Sequence, residues 1–132
     1  MVKQSLRVSI VDDEPSVRNA LTRLLKAQSF EATAFASAAA FLDSLAVAVP
    51  DCLVVDFHMP KMTGLELQLF LRKAGTSIPT VVITAHDDAQ LRQQCTAAGA
   101  NAFLVKPITN TALVGAINMA IGASVNVPSS LQ

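Results

Sequence analysis

Five short apolar runs recur along the chain, RVSIV, EATAF, CLVV, TVVI and AFLV, and segments with helical periodicity separate them. No other feature narrows the possible folds as much. Strands that alternate with helices pair in parallel as βαβ units, and right-handed crossovers put the helices on both faces of the sheet. CLVV carries no polar face, the mark of a strand covered on both sides and therefore central. The sequence thus predicts an α/β fold with a doubly wound, five-stranded parallel sheet.

The intervening segments carry their own signals. Pro15 suits a first helical turn, and Val17, Leu21, Leu24 and Leu25 form one apolar stripe, which predicts a helix from about Pro15 to Gln28. Ser37 is a plausible N-cap for an alanine-rich helix reaching Leu45, with Pro50 ending the connection. Leu67, Phe70 and Leu71 mark a third helix ending near Gly75. Asp87 or Asp88 can cap a fourth, carrying Leu91, Cys95 and Ala98 and stopped by Gly99. Thr109 or Asn110 opens a fifth, in which Leu113, Ile117, Ala120 and Ile121 share a face. From Ser124 the pattern fails, so residues 1–123 are expected to form the domain and 124–132 a tail or the start of a linker.

With 132 residues and 52% hydrophobic content, the chain suffices for one domain with a sizeable core. Its ten basic and ten acidic residues cancel, which argues against direct nucleic-acid binding or attraction to an acidic membrane surface. Neither a secretory signal nor a membrane-length apolar stretch is visible, so a soluble, cytoplasmic protein is expected. Cys52 and Cys95 lack the spacing of a metal or redox motif and read as packing residues.

Where the runs end, polar residues begin: Asp12 and Asp13 after the first, Asp56 after the third, Thr84 after the fourth and Lys106 after the fifth. In a parallel sheet these positions share one rim, where open α/β folds bind their ligands. Clustered carboxylates repel one another unless a cation or proton intervenes, and an oxygen-only set suits a hard divalent ion such as Mg2+. A lysine and a hydroxyl beside such an ion are parts that position and neutralise a transferring phosphoryl group. The chain lacks a Walker lysine loop, which argues against nucleotide hydrolysis. Taken singly, each residue has a plainer reading: Asp12 or Asp13 as a helix cap, Thr84 as a strand-end hydroxyl, Lys106 as a solvated surface lysine.

The segments VDDE, VDFHMPKMTGLEL, VVITAHDD and AGANAFLVKP, in this order and each beside a predicted strand, resemble the receiver domains of two-component response regulators. The resemblance runs from about Leu6 to Gly122, and FEATAFASAAAFL and MPKMTGLELQ look like the branch often joined to a helix-turn-helix transcription domain. It implies a flavodoxin-like strand order 2-1-3-4-5. It further implies that Asp56 is the phosphoacceptor and that Asp13, Asp56 and the backbone carbonyl of His58 ligate Mg2+, with Asp12 reaching the ion mainly through water. Thr84 and Lys106 would hold the phosphoryl oxygens, Pro107 would follow a cis peptide that aims the lysine, and Phe103 would be the switch aromatic. Phosphorylation would draw Thr84 toward the phosphoryl group, turn the ring inward and remodel the face of the fourth helix, fifth strand and fifth helix. Phe103 could instead simply pack in the core, and its ring has no hydroxyl to hold an inward state by hydrogen bonding.

The implied donor is a phosphohistidine on a sensor histidine kinase or histidine phosphotransfer protein, and the signal would pass to an output domain or downstream protein, with homodimerisation on phosphorylation as one route. Such a chain is a phosphoacceptor that assists its own phosphorylation and dephosphorylation rather than an enzyme with a separate substrate. His58 and His86 each lie two residues past a site residue, at positions that tend to govern water access, and an imidazole there could make dephosphorylation depend on pH. Lys61 stands where the family's loop commonly has glycine. Two rivals are an interaction module acting without phosphorylation and an aspartyl phosphatase. The second is disfavoured because the Asp-x-Asp pair such enzymes use is replaced by Asp56-Phe57-His58.

Overall fold

The computed structural model describes residues 5–125, with side chains described through Gly122. Five strands, β1 (Arg7–Val11), β2 (Glu31–Phe35), β3 (Cys52–Asp56), β4 (Thr80–Thr84) and β5 (Ala102–Val105), alternate with α1 (Pro15–Ala27), α2 (Ala38–Ser44), α3 (Gly64–Lys73), α4 (Ala89–Ala97) and α5 (Asn110–Val125). All pairings are parallel and the sheet order is β2-β1-β3-β4-β5, as expected. Every residue of β3 and β4 is buried, whereas β2, at an edge, is half open.

Alternation along the strands feeds two cores. Cys52, Val54, Val81 and Ile83 pack with Leu21 and Leu25 of α1 and Leu113 and Ile117 of α5. Leu53, Val55 and Val82 pack on the other face with Phe41 of α2, Leu67 of α3 and Leu91 of α4. Each fully buried aliphatic or aromatic side chain contributes roughly 2 kcal/mol, so the sheet's rim is a rigid frame for whatever it carries. Both cysteines are free and buried, and burial pushes the Cys52 thiol up to about 12, leaving it inert at neutral pH.

The helix ends follow their chemistry. Ser37 Oγ accepts from the Ala40 N–H, Asp88 Oδ1 accepts from those of Gln90 and Leu91, and Thr109 Oγ1 accepts from that of Ala112. Of the two candidate caps for α4, Asp87 instead pairs with Arg92 at 3.1 Å. A full capping box opens α3, with Thr63 Oγ1 accepting from the Glu66 N–H and Glu66 Oε1 from the Thr63 N–H. α5 continues through Ser124 and Val125, past the point where the apolar pattern fades, as a last turn propagated from the packed helix before it. The rest of the expected tail, 126–132, lies outside the described residues.

Candidate functional site

The sheet's parallel register carries the polar residues to one rim. Asp12 follows β1, its backbone N–H donating to the Phe35 carbonyl at 3.1 Å, and its side chain is fully buried. Asp56 ends β3 opposite Ile83, and the next N–H, of Phe57, donates to the Ile83 carbonyl at 2.8 Å. Thr84 ends β4 opposite Val105, and its carbonyl accepts the Lys106 N–H at 2.7 Å, tying the two residues through the main chain.

Lys106 gathers these groups. Its Nζ lies 3.2 Å from Asp12 Oδ2, 3.2 Å from Asp56 Oδ1 and 3.6 Å from Glu14 Oε1. One carboxylate oxygen from each of Asp12, Asp13 and Asp56 falls within 4.8 Å of the others. Asp12 and Asp56 are buried and Asp13 is exposed, so the cluster opens to solvent on one side. Asp12 also shapes the loop: its Oδ1 accepts the Glu14 N–H at 2.9 Å and its carbonyl accepts from Arg18 Nη1 at 2.8 Å.

One lysine does not balance three carboxylates. Burial, the largest cause, and repulsion from Asp12 push the Asp56 carboxyl up to about 6, while Lys106 pulls it back and Asp13 adds a smaller push. Burial alone would lower the Lys106 ammonium, but Asp56 and Asp12 outweigh it and raise the group, so it stays protonated. Oxygen donors at this spacing, with a carboxylate whose charge is incompletely compensated, fit a small hard dication.

Around this centre, Thr84 is fully buried, and its Oγ1 accepts the His86 N–H at 3.3 Å, which leaves the hydroxyl hydrogen to be donated elsewhere. The Lys106–Pro107 peptide is cis, as the resemblance implied. Phe103 is 9% exposed and packs in the core with Leu91 and Cys95, and the Arg92 guanidinium lies over its ring at 4.7 Å. That contact holds the ring in its observed position, since a cation over an aromatic face contributes about 0.5–1 kcal/mol at an exposed site. His58 and His86 are both exposed, and their rings meet edge to face with centroids 5.5 Å apart.

Three participants carry no assignment in the sequence reading. Glu14, next to Asp13, comes within 3.6 Å of Lys106, and Arg92 reaches the Phe103 ring through the packing of α4, with no local signal. Gly64 does have one, the TGLE capping sequence: a Cβ added there would lie 2.8 Å from the Asp56 carbonyl oxygen, so only glycine lets α3 start against the end of β3. Its N–H donates to the Phe57 carbonyl at 2.9 Å.

Lys61, in the family's glycine position, is exposed and holds φ at +71°, the left-handed region that glycine would occupy without strain. The loop keeps its shape at the expense of the lysine. Lys61→Gly is therefore expected to stabilise the protein by about 1 kcal/mol, read as a higher urea midpoint with an unchanged slope. A lower midpoint would show that the lysine side chain contributes more than its backbone strain costs.

The chain matches the family described as the response regulator receiver domain over residues 8–118. It is 40% identical over 114 residues to the transcriptional regulatory protein TdiR of Thauera aromatica, covering 86% of this chain and 50% of the relative. To the transcriptional regulatory protein FixJ of Azorhizobium caulinodans it is 36% identical over 121 residues, covering 92% of this chain and 57% of that one. The chain thus spans about half the length of the curated relatives it matches. Among solved structures, the crystal structure of FixJ-N superposes with a TM-score of 0.85 at 36% identity, covering 95% of this chain and all of that one. A Vibrio cholerae chemotaxis protein, CheY4, superposes with a TM-score of 0.83 at 26% identity, covering 89% of this chain and 99% of that one. Receiver domains as a family bind Mg2+, and the acidic cluster seen here could hold a metal ion. The family match, the relatives and the fold agree that the chain belongs to the response regulator receiver domains, the phosphorylation-dependent signalling modules of two-component systems.

Proposed function

We propose that Asp56 is the residue that receives the phosphoryl group, that Asp12, Asp13, Asp56 and the main-chain carbonyl of His58 hold Mg2+, and that the donor is a phosphohistidine on a sensor kinase or histidine phosphotransfer protein. The observation that carries this reading is the convergence on Lys106: one ammonium bridges Asp12 and Asp56 at 3.2 Å each, beside a third carboxylate. When bound, Mg2+ neutralises charge on the phosphoryl oxygens and orients them.

The chain's residues supply the rest. An Asp56 carboxylate oxygen forms the new P–O bond as the donor's N–P bond breaks, the electron pair leaving with the imidazole. Lys106 exchanges part of its contact with Asp56 for a phosphoryl oxygen, and the Thr84 hydroxyl donates to another. Because the Thr84 carbonyl holds the Lys106 N–H, movement at either residue reaches β5 and Phe103. The chain acts stoichiometrically, as a reversible acceptor rather than a turnover catalyst.

The related transcriptional regulators suggest that the phosphorylated state is read by a transcriptional output, on the same polypeptide or on a partner. Remodelling of the face formed by α4, β5 and α5, including pairing with a second copy, would transmit it. The test is phosphoryl uptake from a small phosphodonor followed with Mg2+ and after its removal by chelator. Uptake is expected only with the metal, and uptake unchanged by chelation contradicts the proposed ligand set.

A further inference from the structure

His58 and His86 lie on two loops that the sheet forces side by side. Asp56 pairs with Ile83 in the β3–β4 register, and the Phe57 N–H extends that ladder onto the Ile83 carbonyl. His58 lies two residues beyond Asp56 and His86 two beyond Thr84, so the register brings their backbones side by side, and the two imidazoles are in contact. On one side the Phe57 ring supports His58 edge to face, with centroids 4.7 Å apart, and the Thr84 hydroxyl fixes the main chain at His86.

We infer that His58 and His86 together form a binding site for a borderline divalent ion of the Zn2+, Cu2+ or Ni2+ class, beside the acidic cluster and separate from it. Two imidazoles bound to Zn2+ at about 2.0–2.1 Å with a tetrahedral angle between them have ring centroids roughly 5 Å apart. The observed separation is 5.5 Å with the ring planes at 84°, so the spacing already suits a shared ion, and rotation about the exposed side-chain torsions turns one nitrogen of each ring toward it. Imidazole nitrogen selects these ions, whereas the carboxylate oxygens of Asp12, Asp13 and Asp56 select Mg2+. The neighbouring negative charge raises the local cation concentration at both sites. With two protein ligands, water fills the remaining positions, and the bound ion joins the loop leaving Asp56 to the loop leaving Thr84. Such a clamp would make the receiver responsive to a transition metal through the loops its phosphorylation must move.

The test is Zn2+ binding by titration calorimetry in excess Mg2+, with the parent chain, His58→Gln, His86→Gln, the double variant and Asp13→Asn. The expected result is one Zn2+ bound by the parent, an affinity lower by about tenfold or more in each single histidine variant, and a much smaller reduction in Asp13→Asn, which removes nearby charge but no ligand of the site. Equal Zn2+ affinity in the parent and the double variant, dependence on only one of the two histidines, or a larger loss in Asp13→Asn than in the histidine variants would overturn it. Circular dichroism verifies that each variant is folded. The readout involves no phosphoryl transfer, so its failure leaves the role of Asp56 untouched.

Discussion

Asp56→Asn is expected to take up no phosphoryl label from either a phosphohistidine donor or a small phosphodonor, and above about pH 6 to be more stable than the parent. The first effect follows because an amide oxygen is not a nucleophile toward phosphorus under these conditions and no second carboxylate shares the position of Asp56 at the end of β3. The second follows from charge. The folded-state pKa of Asp56 is pushed up to about 6, above the roughly 3.9 of an unfolded aspartate. Between these values the folded state binds more protons than the unfolded one, so stability falls as pH rises through this window and the full penalty is present above it. Two units correspond to about 3 kcal/mol, which asparagine removes. Urea denaturation of both proteins at several pH values checks this: the difference should be small near pH 4 and level off above pH 6. A less stable variant at neutral pH would mean that the Lys106 contact outweighs the burial of Asp56.

Replacing Lys106 by methionine acts in the opposite sense. The side chain is 18% exposed and neutralises two buried carboxylates, and removing one partner of a buried pair costs about 3–5 kcal/mol. Partial exposure puts the expected loss at neutral pH near the lower end, about 3 kcal/mol. The loss should shrink as acid protonates Asp56, whose pKa rises further without the lysine, and it should be partly offset by Mg2+, which supplies the missing positive charge. Denaturation with and without Mg2+ across this pH range reads both effects. A variant as stable as the parent at neutral pH, and insensitive to Mg2+, would show that the ammonium is solvated rather than bound into the cluster.

The strands were legible because Val, Ile and Leu runs of this length, bounded by caps and glycines, have one economical arrangement, and polar residues closing parallel strands must share a rim. CLVV is as buried as its lack of a polar face predicts, and TVVI beside it is equally buried. Strand order was not readable from the runs themselves and came from the resemblance. The Thr63–Glu66 capping box was present in TGLE but lay between stronger signals. Ser29 and Lys61 take left-handed conformations without glycine, so nothing in their identity announces the turn. The Phe103–Arg92 contact joins β5 to α4 and depends on packing that no local pattern encodes. For the histidines, the sequence placed both beside the site, but only the sheet register shows that their rings touch.

The identity of the acceptor is tested most directly by incubating the chain with Mg2+ and a small phosphodonor, reducing the acyl phosphate with borohydride and locating the modified residue by tandem mass spectrometry. Reduction converts an aspartyl phosphate to homoserine, which is expected at position 56 and only when Mg2+ was present. Homoserine at position 12 or 13, or phosphate on a serine, threonine or histidine in its place, would contradict the assignment of Asp56.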